Sequence, residues 1–76
     1  MRELLEYIAK ELVDEPDAVE VAELHDERGT LLQLRVSAED LGKVIGRGGR
    51  TARAIRTVVK AAALRKGVHA AVEILD

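Results

Sequence analysis

Cysteine is absent, which excludes disulfides, thiolate zinc sites and Cys nucleophiles. The absence fits a reducing cytoplasm. Phe and Trp are also absent and Tyr7 is the only aromatic residue, so any core must be built from Leu, Val, Ile and Ala. Asn is absent and Gln33 is the only Gln, a bias shared by heat-resistant proteins and by GC-rich genomes. No apolar run approaches the roughly 18 residues of a membrane span. Met1 is followed by an amphipathic, acid-containing segment instead of a basic start and an apolar stretch, so no secretory signal is expected.

What is present is a concentrated charge pattern. The 76 residues suffice for one domain, 1–76, with a net charge of −2. A chain of this size buries only about 60% of its unfolded surface. Residues 1–42 carry twelve acids and four bases, and residues 67–76 add two acids. Between them, residues 43–66 hold eight bases (Lys43, Arg47, Arg50, Arg53, Arg56, Lys60, Arg65, Lys66) and no acid. A solvated helix face usually mixes both signs. A one-sign segment sets up a local field suited to an anionic partner.

The periodicities predict six elements. Leu4, Leu5, Ile8 and Leu12 form a helical stripe over 2–13, ended before Pro16. Tyr7 lies off the stripe and reads as edge packing or, second to that, a partner contact. Residues 18–25 alternate as a strand, with a slip at Ala22-Glu23-Leu24 that would suit a bulge. Asp26-Glu27-Arg28-Gly29 is a turn into a second strand, 30–36, so the two strands form a hairpin. Ser37 is a helix N-cap with Asp40 placed to answer it in a capping box. The short helix stops at Gly46, and a longer one runs from Arg50 to about Lys66, with Gly67 as its C-cap. Val68, Ala70, Val72 and Ile74 alternate as a last strand. The order αββααβ predicts an α+β fold, three helices covering one face of a three-stranded sheet.

Gly46, Gly48 and Gly49 put three glycines into four residues, more than a helix–helix turn needs. Bare main chain lets a sugar-phosphate backbone come close, and amides at the start of the next helix lack intrahelical partners. Arg47 and Arg50 add charge-assisted phosphate contacts. On the following helix Ala52, Ile55, Val58, Val59, Ala62 and Ala63 share one side, while Arg50, Arg53, Arg56 and Lys60 gather on the remainder. Val44 is expected in the core. Ile45 reads either as core or as groove floor. Other phosphate loops fit badly. No Gly-Lys-Ser/Thr exists for a P-loop, and Thr51 stands where a dinucleotide fingerprint needs glycine. The stacking platform of an RRM needs aromatics in the strands, and there are none.

Ile45-Gly46-Arg47-Gly48-Gly49-Arg50 within this order resembles the KH domain in its prokaryotic, type II arrangement. Leu34–Val36, Glu39–Gly46 and Gly49–Arg56 are similar to the small bacterial RNA-binding proteins that consist of a single KH domain. The resemblance covers the whole chain. It implies that Lys43, Ile45, Gly46, Arg47, Gly48, Gly49, Arg50 and Arg53 contact RNA. About four nucleotides of single strand would lie in a groove whose far wall is the last strand and the loop before it, near Lys66 to Val72. It further implies an RNA chaperone or post-transcriptional regulator, a homodimer or a pair with a larger Jag-type KH protein, and no cofactor or metal. Relatives usually carry side chains at both variable loop positions. Here they are Arg47 and Gly48, which implies weaker or less selective binding.

Two function classes follow. One is a non-enzymatic binder of single-stranded RNA. The other is a KH fold used mainly for dimerisation or protein interaction, suggested by the acidic first helix and hairpin. An enzyme is disfavoured, because neither His25 nor His69 has a nucleophile or ligand cluster near it in sequence.

Overall fold

The computed structural model describes all 76 residues. Helix α1 spans Arg2–Leu12, strand β1 Glu20–Asp26 and strand β2 Gly29–Arg35. Helix α2 spans Leu41–Ile45, helix α3 Arg50–Arg65 and strand β3 Ala70–Ile74. This is the expected αββααβ order. β1 and β2 form the antiparallel hairpin. β3 returns after the helix pair to lie parallel to β2, so β2 is central in the order β1-β2-β3.

The helices cover one face of this mixed sheet. Leu32 and Leu34 point inward from β2 and are fully buried. They meet Leu5 and Ala9 of α1, Val44 of α2, and Ile55, Val59 and Ala63 of α3. Each fully buried Leu or Ile contributes about 1.5–3 kcal/mol by leaving water. With no large aromatic ring, small residues such as Ala9, Ala52 and Ala63 bring the helices close to the sheet.

Several local expectations change. β1 starts at Glu20, because a 3-10 turn at Pro16–Ala18 delivers Val19 to the core before pairing begins. No bulge interrupts β1: the register is unbroken from Glu20 opposite Arg35 to Asp26 opposite Gly29. Leu24 stands across from Leu31, and Leu31 is beside Ala71, so the outer sheet face has its own apolar row at the hairpin end. Regular alternation therefore survives the apparent slip. β3 starts two residues later than its apolar pattern does. Gly67, at φ +76°, ends α3 in a Schellman turn, where Gly67 N–H donates to Leu64 O and Val68 N–H to Ala63 O. Val68 is thus spent on the cap and stays 43% exposed. His69 also precedes the strand, and its carbonyl accepts the Thr30 amide at 2.9 Å. Tyr7 is largely exposed, at 65% of its surface, and Leu12 is exposed where Ala9 is buried.

Asp40 departs furthest from its expected role. Ser37 does cap, its Oγ accepting the Glu39 amide at 3.3 Å. Asp40 does not reach back to it. Its carboxylate is buried, at 2% exposure, and accepts the amides of Asp14 (3.2 Å) and Glu15 (3.0 Å). The acid fastens the chain leaving α1 to the start of α2. Replacing Asp40 by Asn swaps one acceptor for an NH2 that faces a donor. Asp40→Asn should cost about 2 kcal/mol, because bonds to a charged acceptor are worth about 1.5–3 kcal/mol. Urea unfolding followed by circular dichroism measures this, and a loss below about 0.5 kcal/mol, the size of a neutral surface change, would contradict the role.

Candidate nucleic-acid interface

The loop between α2 and α3 is built by glycine geometry. α2 ends when the Gly46 amide donates to Gly42 O at 2.8 Å and Gly46 adopts φ +76°, ψ 172°. That ψ takes the chain off the helical path, so the Arg47 and Gly48 amides turn away from the last carbonyls of α2. A single 3-10 turn, Arg47–Gly49, follows. Gly48 and Gly49 both lie in the left-handed region, and Gly49 caps α3.

The glycines are not equivalent. A Cβ on Gly46 would fall 2.2 Å from Thr51 Oγ1 and 2.9 Å from Thr51 N. Gly46 therefore lets the loop close back on the first turn of α3. A Cβ on Gly48 would meet nothing within 4 Å, so its surface opens to solvent. Beside Gly49 the Arg53 guanidinium folds back toward the loop, with Nη1 3.9 Å from a notional Cβ.

The predicted contact residues separate into groups. Arg47, Arg50 and Arg53 are exposed around the loop, and none takes part in an ion pair. Ile45 is 37% exposed beside the loop while Val44 is fully buried, so Val44 is the core residue of the two. Lys43 faces the other way and pairs with Asp14. The hydrogen bond to the Asp14 carboxylate holds the Lys43 ammonium above the ordinary lysine value.

On α3 the buried line is Ala52, Ile55, Val59 and Ala63. Val58 was expected on this side but is 47% exposed, since one residue of helix turns it about 100° from Val59. Arg56 lies on the basic flank and does structural work there, its Nε donating to Val72 O of β3 at 3.2 Å. The bond lays the basic flank of α3 along the open edge of β3. Sequence reasoning had no means of finding it, because an arginine reaching a strand carbonyl leaves no pattern. Thr51 was also missed as a loop-shaping residue. Its signal was its position five residues after a glycine that tolerates no side chain. No cluster of His, Asp and Glu is placed to hold a metal ion, and no helix is long and apolar enough to cross a membrane.

The glycines differ enough to predict different costs. Gly48→Ala should lose about 1–2 kcal/mol from left-handed backbone strain alone. Gly46→Ala adds the collision with Thr51 and should lose clearly more. Thermal unfolding of the two variants ranks them, and equal losses would mean that the Gly46–Thr51 approach is not a constraint.

The family model described as "KhpA/KhpB, KH domain" matches residues 2–74. The RNA-binding protein KhpA of Caldanaerobacter subterraneus subsp. tengcongensis is 56% identical over 75 residues, 99% of this chain and 100% of the relative. Its namesake in Clostridium acetobutylicum is 55% identical over the same coverage. That of Aquifex aeolicus is 43% identical over 76 residues, 100% of this chain and 96% of the relative. Sequence, fold order and relatives together make this chain a member of the KhpA/KhpB family of KH domains.

Proposed function

We propose that this protein is a non-enzymatic RNA-binding protein that holds single-stranded RNA with the Gly46–Gly49 loop and the basic flank of α3. The observation that carries the reading is the meeting of an open glycine loop with three arginines, Arg47, Arg50 and Arg53, that no acid neutralises. The loop admits a phosphate close to main-chain amides, and the guanidinium groups supply bidentate contacts. The shared name of the relatives, RNA-binding protein KhpA, supports the same class. The lack of a second loop side chain at Gly48 and of stacking aromatics argues for low sequence selectivity. That suits an RNA chaperone or post-transcriptional regulator acting in the cytoplasm, with residues 1–76 as one KH domain.

A second reading is pairing, with another copy or with a larger Jag-type KH protein. The exposed Val58, flanked by Ala54 and Ala61 on α3, favours it. The two readings are compatible, since pairing two weak sites raises affinity through effective concentration. Light scattering beside an RNA titration separates them, and a stable dimer indifferent to RNA would favour pairing alone.

Three phosphate contacts predict that log K falls against log salt with a slope of about −2 on a single strand. The double variant Arg47→Asp/Gly48→Asp should bind RNA about tenfold or more weakly and remain folded, because Asp tolerates the left-handed conformation. Unchanged affinity in the folded variant, or affinity independent of salt, would remove the loop from the site.

A further inference from the structure

The two edges of the sheet differ. β3 forms one edge and β1 the other, with β2 between them. Thr30 N–H of β2 donates to His69 O, and Leu34 O of β2 accepts from Leu75 N–H. Successive residues of a strand turn their main-chain groups to opposite sides. The odd-numbered residues of β2 therefore face β1, where their partners are Glu20, Ala22, Leu24 and Asp26. The N–H and C=O groups of Val21, Glu23 and His25 point the other way, to the open side of β1. On β3 the outward carbonyl of Val72 is taken by Arg56 Nε at 3.2 Å. No side chain closes the outward main-chain groups of β1 in this way.

An open edge invites another strand, and proteins commonly block it with a bulge, a proline, a lysine or a short length. β1 has none of these: it runs seven residues, Glu-Val-Ala-Glu-Leu-His-Asp, in unbroken register. What it has is acid. Glu20, Glu23 and Asp26 recur along it and Glu27 follows in the turn, with no Lys or Arg in the strand. Of these acids only Glu23 is paired, with His25 Nε2 at 2.9 Å. Between the acids, Ala22 and Leu24 stand exposed on the outer face of the sheet. The charges decide which strand fits. A second copy pairing antiparallel about Glu23 would set Glu23 against Glu23 and Glu20 against Asp26. Like charges directly opposite are destabilising, so β1 disfavours itself. RNA is repelled for the same reason. The complementary occupant is an extended polypeptide with Lys or Arg opposite the acids and small apolar residues opposite Ala22 and Leu24.

We propose that the β1 edge docks a cationic, extended segment of a partner protein as a fourth strand of the sheet. Main-chain bonds to Val21, Glu23 and His25 supply the affinity, and the acids on either side supply the selectivity. The site lies on the opposite sheet edge from β3. It leaves the glycine loop and the basic flank of α3 uncovered, and it does not depend on the loop reading.

The test uses a capped peptide, Lys-Thr-Val-Arg-Val-Thr-Lys, whose order is the same read in either strand direction. Its control, Lys-Pro-Val-Arg-Val-Pro-Lys, has equal charge but lacks two of the three amides that would face β1. Amide hydrogen exchange of the full chain is followed by NMR with each peptide. The first peptide, at about nine times its Kd, leaves roughly one tenth of the protein free. Exchange at Val21, Glu23 and His25 should then slow about tenfold, and the control should slow none of them. Glu23→Pro removes the central outward N–H and keeps the bonds to β2. Glu20→Lys/Glu23→Lys reverses two charges and leaves the backbone unchanged, so it carries the test even if the proline variant does not fold. Each should bind the first peptide about tenfold or more weakly. Equal protection by both peptides, or none at millimolar peptide, would overturn the proposal. So would protection of the same amides by a seven-nucleotide oligouridine, or pairing of two copies through β1.

Discussion

The close approach of Gly46 to Thr51 is the constraint on which the surface around the loop depends. With no side chain at 46, the chain leaves α2, makes one 3-10 turn and meets α3 with its first residues nearly touching the glycine. That closure sets the position of Gly48 and Gly49, the start of the α3 amides, and the ring of Arg47, Arg50 and Arg53. A methyl group at 46 would push α3 outward and move all of them at once. Gly48, by contrast, is exposed, with nothing within 4 Å of where a Cβ would stand. One glycine shapes the loop; the other leaves it bare to solvent.

Two polar contacts hold the frame to which this loop is attached. Asp40 is a buried charge, and such a group is tolerated only when its oxygens are bonded. Here two backbone amides after α1 supply the bonds, so α1 and α2 are fixed relative to each other. Arg56 does the corresponding work between α3 and β3. The Lys43–Asp14 pair lies on the surface close to the Asp40 bonds, where an exposed ion pair contributes little stability. Its consequence is electrostatic: it spends one of the eight bases of residues 43–66 on an acid of the protein itself.

The fold was legible because each element carries its own local signal. The hairpin turn, the glycine loop and Gly67 marked the boundaries, and the periods of two and 3.6 marked the elements between them. What escaped was tertiary. Asp40 three residues past Ser37 looks like a capping acid, and only the folded chain brings the amides of residues 14 and 15 to it. Val58 belongs to the apolar side of a helical wheel, yet the buried line through Ile55 and Val59 is narrow, because a three-stranded sheet is too small to cover a wider one. Val68 fits the strand alternation but is captured by the helix cap. The loop glycines and arginines were visible as a motif. The basic residues from Arg53 through Lys60 were visible as one flank, and the bond that ties Arg56 to Val72 of β3 was not.

The central claim is that RNA is held along one line, from the glycine loop down the basic flank of α3. Titrating a short single-stranded RNA into isotopically labelled protein and following every backbone amide by NMR tests this directly. The account predicts that the largest shifts fall on Arg47 to Arg53 and continue toward Lys60 and His69, with α1 and the outer face of β1 silent. Shifts centred on the acidic α1 and β1, with the Gly46–Gly49 amides unmoved, would contradict it.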